Sequence, residues 1–359
     1  MKSLISVLIK RIISIFVSIA LIVSVAAVSA SADSVAWGKT NTYTFTATKN
    51  GKMNISFQHT WQNDGFWSVD VYKKAPDGSR TKMFRRLVYA KNGTDYFPAL
   101  GCKVGDTFVL EVSSSSTAST DLQYNIGYSC SSARYEAELN NNYFSATALT
   151  IGSKTTANCS YYSNWGDEED WFKVTSPING VLSLEFKHPY LTGGHGWDVS
   201  VFYKAKDGGL YTLVDEKNVP TTKAKEVFTI KNAKKGTTYF VKVAWPYSNN
   251  FTHEEYFGTE YTLKPTVKPY TPGTPKKASI TKGKVKLKWK KAASVSGYQI
   301  EICKKSNFKK KIVSKKIKSA KYSKKLSRKR KYYVRIRSYK KVGKKYYYSS
   351  WKKCTIKTK

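Results

Sequence analysis

One stretch of this chain is written twice. Thr42-Tyr43-Thr44-Phe45 running to Phe57-Gln58-His59 matches Asp170-Trp171-Phe172-Lys173 running to Phe186-Lys187-His188. The match resumes from Phe66-Trp67 through Tyr72 against Gly196-Trp197 through Tyr203, then Asp77-Gly78 against Asp207-Gly208. It ends with Gly105–Val112 against Gly236–Val243 and Tyr124 against Tyr261. Within each copy apolar residues alternate, as in Met53, Ile55, Phe57 and Leu182, Leu184, Phe186, and Asn-Gly or Asp-Gly pairs punctuate the runs. A period of two is the signature of strands with one face on a core, and such dipeptides make tight hairpin turns. The chain is therefore expected to be all-β, with two copies of one sandwich.

The first 32 residues have a basic start at Lys2, Lys10 and Arg11, an apolar run from Ile12 to Val28, and Ala30-Ser31-Ala32 before Asp33. That is the layout of a secretory signal peptide, so residues 1–32 are expected to be removed and the chain to be extracellular or cell-wall-associated. An uncleaved anchor is the alternative, because about 17 apolar residues approach the length that spans a bilayer. Any membrane contact is expected only through that segment. Five cysteines in an exported chain permit two internal disulfides, and none lies in a zinc-binding pattern.

Charge divides the chain unevenly. From Lys276 to Lys359 there are 33 lysines and arginines against one acid, Glu301, so this segment holds +32 of the total +38. Before it stands Pro269-Tyr-Thr-Pro-Gly-Thr-Pro275, the composition of a short stiff linker. The expected organisation is a signal peptide (1–32), a first sandwich (33–132), a second with an acidic lead-in (133–268), a linker (269–275) and a basic domain (276–359).

Two resemblances follow from motifs. In the second copy, Glu136-Ala-Glu138-Leu-Asn140-Asn141, Ala146-Thr147-Ala148-Leu149, Asp167-Glu-Glu-Asp170-Trp171-Phe172, Asn179-Gly180-Val181-Leu182, Gly236-Thr237-Thr238-Tyr239 and Tyr261-Thr262-Leu263 come in the order of the bacterial pre-peptidase C-terminal domain, which this copy resembles. That family is a jelly-roll-like sandwich related to the collagen-binding domains of clostridial collagenases. The first copy keeps the strands but lacks the acidic lead-in. The basic segment resembles a Lys-rich fibronectin type III domain of secreted Gram-positive proteins, on Val285-Lys-Leu287-Lys-Trp289, Gly297–Ile302, and Leu326 six residues before Tyr332 in a tyrosine corner. The resemblances imply two jelly-roll-like β-sandwiches plus one fibronectin type III β-sandwich.

Calcium takes six to eight hard oxygen ligands, and the acidic lead-in supplies candidates in Glu136, Glu138, Asn140 and Asn141, with Asp167 and Asp170 at the start of a strand. The collagenase relatives imply that these converge, and a structural calcium ion is expected in the second copy only. Trp61, Trp67, Tyr190 and Trp197 are candidate stacking platforms for a ligand, although Trp67 and Trp197 also fit strand starts in a core. Strands over Thr107–Val112 and Leu122–Cys130 are expected to form a hairpin that brings Cys102 and Cys130 into disulfide reach, with Cys159 a competitor. Cys303 and Cys354 should stay apart.

The histidines His59, His188, His195 and His253 lack metalloprotease spacing, and no nucleophile motif occurs, so no enzyme is expected. Glu168 and Glu169 are adjacent and cannot flank a glycosidic bond. The reading is a non-catalytic binding protein whose partners are anionic cell-wall polymers or an extracellular glycan or protein. A carbohydrate- or matrix-binding accessory module of an extracellular enzyme system is the alternative. Nucleic acid fits the charge but not export.

Overall fold

In the strand Gly51–His59, residues 51, 53, 55 and 57 are buried while 52, 54 and 56 are half-exposed, so the alternation in the sequence becomes the two faces of a sheet. The same rule builds the whole chain, seen here in a computed structural model. It describes residues 33–59, 65–89, 94–114, 123–159, 161–162, 165–166, 169–191, 196–244, 258–281 and 284–358. These residues form strands and no helix. Residues 1–32, and with them the expected signal peptide, lie outside the described residues, as do Trp61, Asp167, His195 and His253.

The first repeat contributes β1 (Thr40–Thr46), β2 (Gly51–His59), β3 (Phe66–Lys74), β4 (Arg80–Tyr89), β5 (Thr94–Tyr96), β6 (Leu100–Cys102), β7 (Thr107–Ser114) and β8 (Tyr124–Ser132). Short strands β9 (Thr147–Ala148), β10 (Thr155–Asn158), β11 (Tyr161–Tyr162) and β12 (Trp165–Gly166) follow. The second repeat supplies β13 (Glu169–Thr175), β14 (Gly180–Lys187), β15 (Trp197–Lys204), β16 (Leu210–Val219), β17 (Lys225–Ala233), β18 (Thr238–Ala244) and β19 (Glu260–Lys268). The basic segment forms β20 (Lys276–Thr281), β21 (Lys284–Lys288), β22 (Gly297–Cys303), β23 (Lys311–Ile317), β24 (Lys321–Lys325), β25 (Lys331–Val342), β26 (Lys345–Tyr348) and β27 (Lys352–Lys357).

The repeat is real at the level of topology. One sheet of the first copy runs β1-β7-β3-β4, and one sheet of the second contains β13-β18-β15-β16 in the same order. In the other sheet β8 and β5/β6 flank β2, just as β19 and β17 flank β14. Each copy centres on the same ring cluster. Phe57, His59 and Trp67 lie 5.0 to 5.9 Å apart in the first, and Phe186, His188 and Trp197 lie 4.3 to 5.9 Å apart in the second. Both tryptophans are fully buried, each contributing up to ~3 kcal/mol or more of burial free energy.

The described residues group into two compact units: 33–147, 155–171 and 243–261 in the first, and 148–154, 172–242 and 262–358 in the second. Within the second unit the basic segment has its own core, built on Val285, Leu287, Trp289, Tyr298, Ile300, Ile302, Tyr332, Val334 and Ile336. Its sheets, β20-β21-β24 and β23-β22-β25 with β26 and β27 on β25, have the strand arrangement of a fibronectin type III sandwich. The tyrosine corner is present: buried Tyr332 donates its hydroxyl to the Ser327 carbonyl at 3.4 Å, beside buried Leu326. Pro269, Pro272 and Pro275 are buried, the Tyr270 carbonyl accepts from the Ser338 hydroxyl, and the Gly273 amide donates to the Lys290 carbonyl at 3.1 Å.

The hairpin expected between 107–112 and 122–130 does not form. β7 pairs with β1 and β3, whereas β8 pairs with β2 in the other sheet. Alternation marks which face of a strand is buried but not which strand it neighbours, so either pairing satisfied the sequence. Cys102 sits opposite Gly51 and Cys130 opposite Met53 on the two flanks of β2, about two strand spacings or ~10 Å apart, beyond the reach of an unstrained disulfide. Cys102 and Cys130 are both thiols with no disulfide between them. Cys303 and Cys354 stand on β22 and β27 with β25 between them.

Candidate functional site

The acidic lead-in between β8 and β9 is the most unusual polar region of the first unit, because it is buried. Glu136, Glu138 and Asn140 alternate along an extended segment, and all three are buried together with Asp170 at the start of β13. Charged side chains are rarely buried unless paired. Backbone pairing holds the segment: the Glu136 amide donates to the Thr156 carbonyl at 2.9 Å, and the Trp171 amide donates to the Asn140 carbonyl at 2.8 Å. That second bond sets Asn140 beside Asp170.

Glu136 is well satisfied, accepting from the Asn158 amide at 2.8 Å and from Asn140 Nδ2 at 3.4 Å. Asp170 accepts through Oδ2 from the Tyr261 hydroxyl and from the Cys159 thiol, the latter at 3.2 Å. Burial beside Asp170 drives the Tyr261 hydroxyl far above its ordinary pKa, so Tyr261 stays a donor. Glu138 is different. Burial first, and the charge of Asp170 second, push its carboxyl up to about 8, against partial relief from the Gly101 amide and Lys73. Lys73 donates to the Glu138 carbonyl at 2.6 Å and to Asp106 at 2.8 Å. Gly101 is required at its position, since a Cβ there would lie 2.2 Å from the Glu136 carbonyl oxygen.

Glu138 Oε2, Asn140 Oδ1 and Asn141 Oδ1 are buried oxygens that accept no hydrogen bond from the described residues. Native structures leave few such atoms, and each calls for a reason, an ion being one. Among the described residues no three histidine, cysteine or acidic side chains gather as a metal cluster. What the fold brings together is two mutually repelling carboxylates, Glu138 and Asp170, with Asn140 tied to the same strand start through the Trp171 amide. Carboxylate and amide oxygens are hard donors, the class that calcium takes and zinc does not prefer. In the first repeat Thr42 stands in the place of Asp170, and Tyr124 instead shares hydrogen bonds with Tyr43 and Asn41.

Sequence reading missed Gly101, Lys73, Asn158, Cys159 and Tyr261 as supports of this cluster. Gly101 and Lys73 lie in the first repeat and carry no local motif. The aromatic candidates fare unevenly. Trp67 and Trp197 are fully buried in the ring clusters and offer no face to a ligand, while Tyr190 is 63% exposed.

In the basic segment the outer face of the β22–β25 sheet carries a ladder of cations between rings. Arg335 lies 4.4 Å from the Phe308 ring and 4.3 Å from Trp351, Arg337 lies 4.4 Å from Trp351 and 3.9 Å from Tyr348, and Lys316 lies 3.5 Å from Tyr346. Glu301, the segment's one acid, is buried beneath it and held by Arg335 at 2.6 Å.

No protein-family model matches the sequence, and no curated protein does. Solved structures similar to the chain include the two fibronectin type III domains of chicken tenascin, 18% identical, covering 53% of this chain and 99% of that one at a TM-score of 0.27. The tandem CBM22-1–CBM22-2 domains of Paenibacillus barcinonensis Xyn10C are 10% identical over 66% of this chain and 85% of that one, at 0.22. Tripeptidyl peptidase 2 is 9% identical over 85% of this chain and 27% of that one, at 0.25.

Proposed function

We propose that this chain is a secreted or cell-wall-associated, non-catalytic binding protein whose basic C-terminal domain holds anionic envelope polymers while the tandem sandwiches present a recognition surface. One observation carries this reading. The basic domain's only acid, Glu301, is buried and paired with Arg335, so no acidic side chain remains on its surface to offset the lysines. Such a surface attracts polyanions over a Debye length of about 8 Å at physiological salt.

The second sandwich belongs, on this reading, to the pre-peptidase C-terminal type, with calcium as a structural ion held by Glu136, Glu138, Asn140, Asn141, Asp167 and Asp170. An ion there would supply positive charge where two carboxylates repel, and the Cys159 thiol and Tyr261 hydroxyl, donating to Asp170 Oδ2, fix the orientation of that carboxylate.

A carbohydrate- or matrix-binding role is favoured by a separate feature, an open groove of about 690 Å³ in the second repeat. Tyr203, Leu213 and Ile230 line it, with Lys204, Lys206 and Lys231. An array of glycans and purified wall fractions, probed with the full chain at low and high salt, separates the two readings. Anionic polymers released by salt belong to the basic domain, whereas neutral glycans retained at high salt point to the groove. Absence of binding to any anionic polymer at low salt contradicts the proposal.

A further inference from the structure

The two faces of the basic sandwich treat their cations in opposite ways. On the β22–β25 face the cations of the ladder are engaged by rings or by Glu301. The outer face of β20-β21-β24 has no such compensation. Val285 and Leu287 point into the core and are buried, so Lys284, Lys286 and Lys288 point outward. Register then places Lys288 between Lys276 and Lys321, and Lys284 opposite Lys325, with Ser279, Lys286 and Ser323 forming the row between them.

All six of these lysines are exposed, and among the described residues none makes an ion pair, a hydrogen bond or a ring contact. Like charges directly opposite on antiparallel strands repel, and this face holds three such pairs: 276/288, 288/321 and 284/325. A sheet that keeps this repulsion with no acid of its own is relieved when an external anion settles on it. The face is built of ammonium groups without one guanidinium, which makes it a set of hydrated point charges and not of bidentate forks. It carries no ring for stacking, and Ser279 and Ser323 bring hydroxyls into the middle row of lysines. Phosphate oxygens along an extended chain suit such a flat array of point charges and hydroxyls.

We infer that this face is the seat of a linear phosphate polymer, held by Lys276, Lys284, Lys286, Lys288, Lys321 and Lys325. The inference rests on the polyanion reading above and narrows it to one face and one anion chemistry.

The test titrates the full chain with inorganic polyphosphate, followed by fluorescence anisotropy across a salt series. One variant combines Lys284→Gln, Lys286→Gln and Lys321→Gln. A charge-matched control combines Lys344→Gln, Lys353→Gln and Lys357→Gln, away from that face. The face variant should lose roughly tenfold in affinity at low salt, and its log K against log salt slope should shrink by ~2 to 3. The control should change about twofold or less. Melting confirms that both fold, and the face variant should melt no lower than the parent because repulsion is removed. Equal losses in the two variants overturn the placement on this face while leaving the polyanion reading intact. Failure of the unmutated chain to bind polyphosphate at low salt overturns the reading itself. Wall bearing polyol phosphate and single-stranded DNA, run as further probes, tell the sources of the polymer apart, and a loss that ignores the face for both counts against the inference.

Discussion

Replacing Glu138 with glutamine should change stability in opposite directions with and without calcium. In chelator the buried Glu138 carboxyl titrates near 8, against about 4.5 when unfolded. A folded pKa raised above the unfolded one gives stability that is complete below about pH 4.5 and is lost as pH rises toward 8. Between those limits the unmutated chain should lose about 1.4 kcal/mol per pH unit, one proton's worth. At pH 7 that is a cost of roughly 3 kcal/mol, which a neutral, isosteric amide side chain does not incur. In chelator Glu138→Gln should therefore melt higher than the parent at pH 7, with a flatter pH profile. At a thousandfold excess of calcium over Kd the parent gains RT ln(1 + [Ca]/Kd), about 4.1 kcal/mol, which exceeds the roughly 3 kcal/mol cost above, while the variant has lost a charged ligand and gains little. The order of melting points should reverse. Differential scanning calorimetry of the full chain in both conditions, at pH 6, 7 and 8, reads this directly. A variant that melts below the parent in chelator at pH 7 refutes the buried-charge reasoning, and a parent indifferent to calcium refutes the ion.

Gly101→Ala should destabilise the first unit by ~1 to 3 kcal/mol or more in urea unfolding and weaken calcium's effect, because its Cβ collides with the Glu136 backbone. Tyr332→Phe should cost about 0.5 to 1.5 kcal/mol in the basic domain by removing the corner hydrogen bond to Ser327, with polyanion binding unchanged. Glu301→Gln should cost ~1 to 3 kcal/mol, since Arg335 loses its buried partner, and a melting midpoint equal to the parent's would show that the ladder holds Arg335 unaided.

The strands and the repeat were legible because period-two burial is written directly in the residues, and because β2 and β14 repeat the same inward positions. The fibronectin-like corner was legible from the spacing of Leu326 and Tyr332 for the same reason: it is local. Pairing was not. β8 and β7 follow one another along the chain yet belong to different sheets, and nothing in an alternating strand names its neighbour. The disulfide expectation failed through that one step. Trp67 and Trp197 fitted both a stacking platform and a strand start in a core, and their full burial places them on the inward face of the strand start. The acidic lead-in was visible as a motif, whereas its burial depends on Gly101, Lys73 and Tyr261, which are distant in sequence and reach it only through the fold.

The most direct measurement of the proposed function sediments the full chain with purified bacterial wall, either intact or chemically stripped of its phosphate polymers, from about 50 to 500 mM salt. Strong retention on intact wall at low salt, lost steeply as salt rises and largely absent from stripped wall, is the expected result. Retention that is indifferent to salt, or equal on stripped wall, would contradict anchoring by the basic domain.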